Sequence, residues 1–339
     1  MTDKRVLITG AAGYVGCLLG ESLSKQMSVM GIDIVPREAA FPIREMDICD
    51  ARLAELFRAE RITHVVHLAS VVSPGRDRAR EYRIDVEGTR NVLEACVKAG
   101  VSHLTLTSSG AAYGYHADNP AWLQESDPLR GNPEFAYSDH KRLVEEMLAE
   151  YRLQHPQLKQ LIFRPCSIVG ATTNSKISAL FSGRGILDPG AHNSPFVFVW
   201  DQDVIGAIEY GVTRSASGIF NLAGDDALTP KEIARLLQKP LRRPPVWLLK
   251  AILSFCFTLR LGSVQPAQVM FLQYRPVLLN HRLKTELGYQ PQKTSAEAFA
   301  FFAKNALGIP VDAKEARVTR FEGVVSGAQR QQQPQGEAA

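Results

Sequence analysis

The stretch KRVLITGAAGYVG, residues 4–16, joins a short β-branched run to three glycines, Gly10, Gly13 and Gly16, set three residues apart. The run reads as a strand, and YVGCLLGESLSK after it carries helical periodicity. Glycine at such a junction permits a tight turn and the close approach of a diphosphate, whose charge the helix N-terminus stabilises. A glycine pattern alone is weak. Placed between a first strand and a first helix, it points to a nucleotide.

Outward from this junction, strand-like and helix-like segments alternate. SVMGIDIV, THVVHLAS, SHLTLTSS and LKQLIFRP read as strands; ARLAELFRAERI, DVEGTRNVLEACVKAG and FAYSDHKRLVEEMLAEYRLQ read as helices between them. Apolar strands separated by helices predict an α/β fold, a Rossmann-type doubly wound parallel sheet covered on both faces. After Pro165 the regularity fades. Residues 167–195 look loop-rich with one short helix, then SPFVFVWDQDVIGAIEYGV and GIFNLAG resume strand, helix and strand. From 228 to about 307 the chain reads as mostly helical with proline breaks, and Thr229 with Pro230 forms a helix-start signal. The division that follows is residues 1–166 and 196–225 as a nucleotide-binding Rossmann domain, 167–195 and 226–308 as a smaller, mostly helical substrate-binding region, and 309–339 as a disordered tail. The last assignment rests on the polar, low-complexity ending GAQRQQQPQGEAA.

Asp33 ends the second strand, seventeen residues after Gly16. A carboxylate there accepts hydrogen bonds from both ribose hydroxyls of NAD and repels the 2′-phosphate of NADP. Arg37 stands close enough to soften that discrimination, so NAD is preferred over NADP. With TGAAGYVG in place, the sequence resembles the extended short-chain dehydrogenase/reductase family, the NAD-dependent epimerase/dehydratases. MDICD, HLAS, VEGTRNVLEAC and TSSGAAYG follow in the order of that family, and the likeness runs to about residue 300, strongest in the first 170. The resemblance implies cofactor contacts from Gly10, Gly13, Tyr14, Val15 and Gly16, from Asp33 and Ile34, from Asp47 and Ile48 around adenine, from Leu68, Ala69 and Ser70, and from Pro165. Asp85 stands where many relatives carry asparagine near the nicotinamide, which leaves the contact on that side open.

The same resemblance implies a proton relay of a serine, a tyrosine and a lysine. YSDHK, residues 137–141, places Tyr137 and Lys141 one helical turn apart on one face. A free phenol titrates near about 10, and a nearby ammonium with a positive nicotinamide would lower that value. Tyr137 would then take or return the proton of an alcohol as hydride moves to or from NAD, and Lys141 would also hold the nicotinamide ribose. Ser109 matches the family serine and would bond the reacting oxygen, with Ser108 as its substitute. Without the glycine loop the pair would read as decoration of an amphipathic helix. His140 receives no role.

Composition sets broad bounds. A hydrophobic content of 45%, 22% charged residues and a net charge of +4 suit a globular enzyme on a small-molecule substrate and give no sign of nucleic-acid binding. Five scattered cysteines fit reduced thiols in the cytoplasm and offer no metal-binding spacing. MTDKRVLITG enters a strand directly, without room for a signal peptide. The family resemblance implies a homodimer.

The substrate is less legible. Ser167 falls where sugar-nucleotide relatives carry asparagine, and Arg275 lies too near LGYQP to be their phosphate-clamping arginine by spacing. SSGAAYG lacks the acid of the dehydratases. A sugar or nucleotide-sugar epimerase or reductase is the first expectation. The alternatives are an oxidoreductase of an apolar alcohol, resembling the 3β-hydroxysteroid dehydrogenases, and a non-catalytic NAD-binding sensor or assembly subunit. VWLLKAILSFCFTLRLG, residues 246–262, is interrupted by Lys250 and Arg260 and does not suit a membrane span. It reads most simply as a core helix of the smaller domain; under the apolar-alcohol reading it would line the pocket or lean on a membrane.

Overall fold

A computed structural model describes residues 4–72, 75–173, 175–189, 194–262 and 264–321. The chain opens with β1 (Arg5–Thr9), α1 (Tyr14–Leu23), β2 (Ser28–Asp33), β3 (Ile43–Glu45), α2 (Leu53–Ala59) and β4 (His64–His67). It continues through α3 (Arg78–Tyr82), α4 (Gly88–Ala99), β5 (His103–Thr107), α5 (Ala136–Gln154) and β6 (Lys159–Pro165). Then follow β7 (Ser167–Val169), α6 (Lys176–Ser182), β8 (Ile186–Leu187), β9 (Phe198–Trp200), α7 (Asp201–Arg214) and β10 (Gly218–Leu222). The remainder is α8 (Pro230–Leu236), β11 (Leu241–Arg242), α9 (Val246–Thr258), α10 (Val269–Gln273) and α11 (Ser295–Ala306).

Seven strands form one parallel sheet in the order β10-β6-β5-β4-β1-β2-β3. The strands are apolar on both sides because helices cover both faces. Val6 and Ile8 pack with α1 and α7 residues Leu19, Val204 and Ile208, while Leu7, Val65 and Leu104 pack with Leu56, Val92, Leu93 and Leu148. The chain runs from β1 outward to β2 and β3, then crosses back to β4 on the other side of β1. That reversal opens a crevice at the carboxyl ends of β1 and β4, the place where doubly wound sheets bind ligands.

A second core belongs to the later part of the chain. Phe181, Phe196, Phe198, Phe299 and Phe302 meet there, in edge-to-face, stacked and tilted contacts of 5.1–6.2 Å. Its helices start as their residues dictate: Thr229 accepts from the Glu232 amide ahead of Pro230, and Thr294 with Glu297 forms a reciprocal cap on α11. β9 carries the chain back to α7 and to β10 at the sheet edge.

Two expectations are corrected. Residues 309–321 are ordered: Ile309, Val311 and Val318 pack against the phenylalanine core, and Thr319 exchanges two backbone hydrogen bonds of 2.9 Å with Ala227. A few aliphatic residues suffice to dock this otherwise polar segment; residues 322–339 lie outside the described residues. α9 is not a core helix either. None of its residues is buried, and Trp247, Ile252 and Phe255 stand largely exposed.

Candidate active site

The crevice is a cavity of about 960 Å³ whose walls come from the ends of the central strands. Its floor is the glycine turn after β1. Gly10 sits at φ +68°, and a Cβ there would lie 2.8 Å from the Ala69 nitrogen. A Cβ on Gly16 would lie 2.3 Å from the Gly10 carbonyl oxygen. Both positions therefore exclude side chains, and the turn's own amides are committed, Ala11 to the Ile32 carbonyl, Ala12 to Asp33 and Gly13 to the Gly10 carbonyl, which leaves the start of α1 to face the cavity. Thr9 pins this turn to the neighbouring strand: its hydroxyl lies 2.7 Å from His67 Nδ1 and accepts from the Leu68 and Ala69 amides.

Asp33 stands at the wall with one carboxylate oxygen accepting from Ala12 N at 3.0 Å and the other from Val35 N at 3.2 Å. The glycine turn and the acid are thus one hydrogen-bonded unit. Val15, Ile34, Asp47, Ile48, Leu68, Ala69, Ser70 and Pro165 also line the cavity, as does Arg37. Tyr14 contributes its ring, but its hydroxyl is committed to Asp201 at the start of α7 and to Thr173. The shape and donors fit a dinucleotide: a cradle cleared of Cβ atoms, an anion-binding helix start, and a carboxylate at the second strand.

At the other end of the cavity, β5 and α5 bring the relay candidates together. Ser138 donates to the Ala111 carbonyl at 2.7 Å and to Asn132 Oδ1 at 3.1 Å, which fastens the start of α5 to the turn after β5. Tyr137 is then placed so that its hydroxyl interacts with the Ser109 hydroxyl. Lys141 is buried, its Nζ 5.8 Å from the Tyr137 ring centroid and donating to the Thr107 carbonyl at 3.1 Å. Ser108 also borders the cavity, but its hydroxyl is committed to Glu145, whose carboxylate also receives Arg164 at 2.7 Å. Of the two serines, Ser109 is the one turned toward the phenol.

Burial raises the Tyr137 phenol above its ordinary value, the Ser109 hydrogen bond opposes this, and the Asp85 charge adds to it. Burial lowers Lys141, against the pull of Asp85 and Glu145. The protein alone therefore moves the two groups toward each other, the phenol up and the ammonium down. The sequence-based expectation of a lowered phenol is not met by the chain itself, because desolvation outweighs the favourable contacts.

Asp85 does not line the cavity; it lies behind the wall. One carboxylate oxygen accepts from Ser70 Oγ at 3.0 Å and Val71 N at 2.8 Å, and the other lies 3.0 Å from His140 Nδ1. Burial works against its charge, but His140, Lys141, Val71 and Ser70 together hold the carboxyl below its usual range. His140, given no role from sequence, is its partner. The signal was the unusual acid at position 85, but its partner sits 55 residues later and no local pattern connects them.

Arg275 is buried with its guanidinium 3.6 Å from the centroid of the Phe196 ring, and its Nε and Nη2 have no hydrogen-bond partner among the described residues. A hydrophobic cluster of Ala111, Tyr115, Phe135, Met270, Phe271 and Tyr274 packs around Tyr137. Ser167 begins β7, which pairs with β9.

Comparison with known proteins agrees with this architecture. The model of the NAD dependent epimerase/dehydratase family matches residues 6–201. An uncharacterized protein of Mycobacterium tuberculosis is 26% identical over 96% of this chain and 90% of its own length. The N-acetyl-alpha-D-glucosaminyl-diphospho-ditrans,octacis-undecaprenol 4-epimerase of Escherichia coli O157:H7 is 26% identical over 71% of this chain and 73% of its own. Among solved structures, a Thermus thermophilus UDP-glucose 4-epimerase in complex with NAD superposes with a TM-score of 0.68 at 24% identity, covering 90% of this chain and 99% of that one. At that identity the likeness speaks for the fold.

Proposed function

This chain is an enzyme of the NAD dependent epimerase/dehydratase family, and we propose that it uses NAD to move hydride at a hydroxyl-bearing carbon of a sugar, as an epimerase or reductase of a nucleotide-linked or otherwise diphosphate-linked sugar. The observation that carries this reading is that Tyr137 and Lys141 line one end of a cavity floored by the glycine turn, with Ser109 hydrogen-bonded to the Tyr137 phenol. The E. coli relative and the Thermus neighbour, both sugar 4-epimerases by name, support the sugar class.

The glycine turn and the start of α1 hold the diphosphate of NAD, and Asp33 accepts from its ribose hydroxyls. When bound, NAD supplies the acceptor for the hydride leaving the carbinol carbon and the source for its return. Tyr137 exchanges the hydroxyl proton with the substrate oxygen, and Ser109 holds that oxygen by a hydrogen bond. Lys141 places a positive charge beside the phenol and favours its ionised form, the direction in which the cofactor's own charge also acts. The enzyme works as a cytoplasmic homodimer, with α4 and α5 as the pairing helices.

A second reading, oxidation of a more apolar secondary alcohol, is favoured by the hydrophobic cluster of Tyr115, Phe135, Met270 and Phe271 that packs around Tyr137. One preparation separates the two. An epimerase returns the hydride to the same substrate and retains its cofactor, so the purified protein is expected to carry NAD and to interconvert UDP-sugar epimers without net NADH. Release of NADH with a sterol-like alcohol, and no conversion of any UDP-sugar, would overturn the sugar reading.

A further inference from the structure

We infer that α9 is a docking helix for the surface of a bilayer that contains anionic lipid. Leu248, Ile252, Phe255 and Leu259 recur at intervals of four, three and four residues, so they share one face of the helix. All four are exposed, and Trp247 and Leu261, each 71% exposed, extend the patch at either end. The protein holds the helix by its other side and leaves the apolar stripe outward. Contiguous apolar exposure of this kind marks an interaction surface.

Charge identifies the partner. From Ile233 to Thr285 the chain contains nine lysines and arginines and no aspartate or glutamate. Arg242 precedes the helix and Arg260 follows it, and Lys250 projects from the side about half a turn away from the stripe; all three are exposed. A second copy of the chain, meeting this face about a two-fold axis, would set cations against cations with no acid from this segment to offset them. An anionic lipid surface complements both features, since apolar side chains enter the headgroup boundary while the cations at the helix ends, and the long Lys250 side chain, reach the phosphates. With 13 residues the helix is about 20 Å long, short of the roughly 30 Å hydrocarbon layer, so it lies along the surface. No helix among the described residues is long and apolar enough to cross a membrane.

The helix is also tied to the cavity. Arg76, a cavity-lining residue, stacks over Phe257 at 3.9 Å from its ring centroid and donates to the carbonyls of Phe257 and Gly262. Gln265 donates to the Gly75 carbonyl on the same rim. A docked α9 therefore holds this rim of the cavity close to the lipid surface.

Vesicle flotation of the full chain tests this without any turnover, and so independently of the proposed reaction. Binding is expected to phosphatidylcholine vesicles that contain phosphatidylglycerol, and at least about tenfold more weakly to phosphatidylcholine alone. Ile252→Ser with Phe255→Ser is expected to weaken partition at least about tenfold. Lys250→Gln with Arg260→Gln is expected to weaken it roughly thirtyfold, at about fivefold or slightly more per cation. NAD binding, measured alongside, should be unchanged in both variants and reports that they fold. Absence of vesicle binding, binding indifferent to anionic lipid, or binding unaffected by either variant would overturn the inference. So would a sedimenting dimer that Ile252→Ser with Phe255→Ser dissolves, because it would assign the face to a second copy.

Discussion

His140 Nδ1 lies 3.0 Å from the Asp85 carboxylate, joining the helix that carries Tyr137 and Lys141 to the segment behind the cavity wall. Both side chains are almost wholly buried. A buried carboxylate is tolerated when hydrogen bonds satisfy it, and here His140, Ser70 and Val71 do so. The charge also reaches the relay, raising both Tyr137 and Lys141. Asp85→Asn should remove that influence while preserving shape. The pH–rate limb assigned to Tyr137 is then expected to move to lower pH, and an unmoved profile would separate Asp85 from the phenol. His140→Phe should cost about 1.5–3 kcal/mol in urea unfolding, since it strips a hydrogen bond from a buried charged group.

Tyr137→Phe keeps the ring in its hydrophobic cluster and deletes only the hydroxyl. Turnover is expected to fall by roughly 10²–10⁴, the usual worth of a positioned proton donor, with NAD affinity within about twofold. Binding by fluorescence titration and initial rates on the same preparation would check both halves. An active variant would remove the phenol from the reaction.

Asp33→Ala deletes the acceptor for the Ala12 and Val35 amides as well as the proposed ribose contact. The expected result is a loss of at least about tenfold in NAD affinity, together with a fall in the preference for NAD over NADP. Retained preference in calorimetry would mean that Arg37 and its neighbours, not the carboxylate, set cofactor choice.

Acid should unfold the protein through buried histidines. His67 is enclosed between Thr9 and Thr89, and burial with the nearby Lys141 charge pushes it down to about 3. His64 is pushed down to about 4 by burial, His103 and Lys4. In the unfolded chain both titrate near about 6.5, so the unfolded state gains protons first as pH falls. Stability is therefore full above about 6.5 and declines through the interval down to these lowered values, at up to about 1.4 kcal/mol per pH unit for each histidine. His67→Gln should flatten the slope of unfolding free energy against pH; an unchanged slope would place the acid sensitivity elsewhere.

The alternation of strand and helix was legible because each element announces itself within a dozen residues, as RVLIT before the glycine turn and Thr229-Pro230 at the start of α8 do. The residues expected around a dinucleotide line the cavity for a related reason: positions following parallel strands converge once the strand order is known. Asp85 was the exception, since it is the partner 55 residues away that turns it from the cavity wall. α9 misled because an apolar periodic stretch reads alike whether it faces a core or faces outward. Burial is a property of what packs against a segment, and no local pattern carries that. Residues 309–321 misled in the opposite sense, as apolar side chains spaced among charged ones dock the segment although no regular period announces them.

The last strand of the sheet, β10, arrives from residue 218, and α7 supplies Val204, Ile208 and Val212 to the face that covers β1. On the ribosome, the nucleotide-binding half therefore emerges incomplete. Until residue 222 has left the exit tunnel, β6 is an unpaired sheet edge and one side of the central strands lacks its helix. Closing this sheet is a long-range event, slow relative to local helix formation and exposed to aggregation while it waits. A fragment cut after β6 would inherit that condition permanently, and the insertion between β6 and β10 makes the two halves of the chain fold as one obligation.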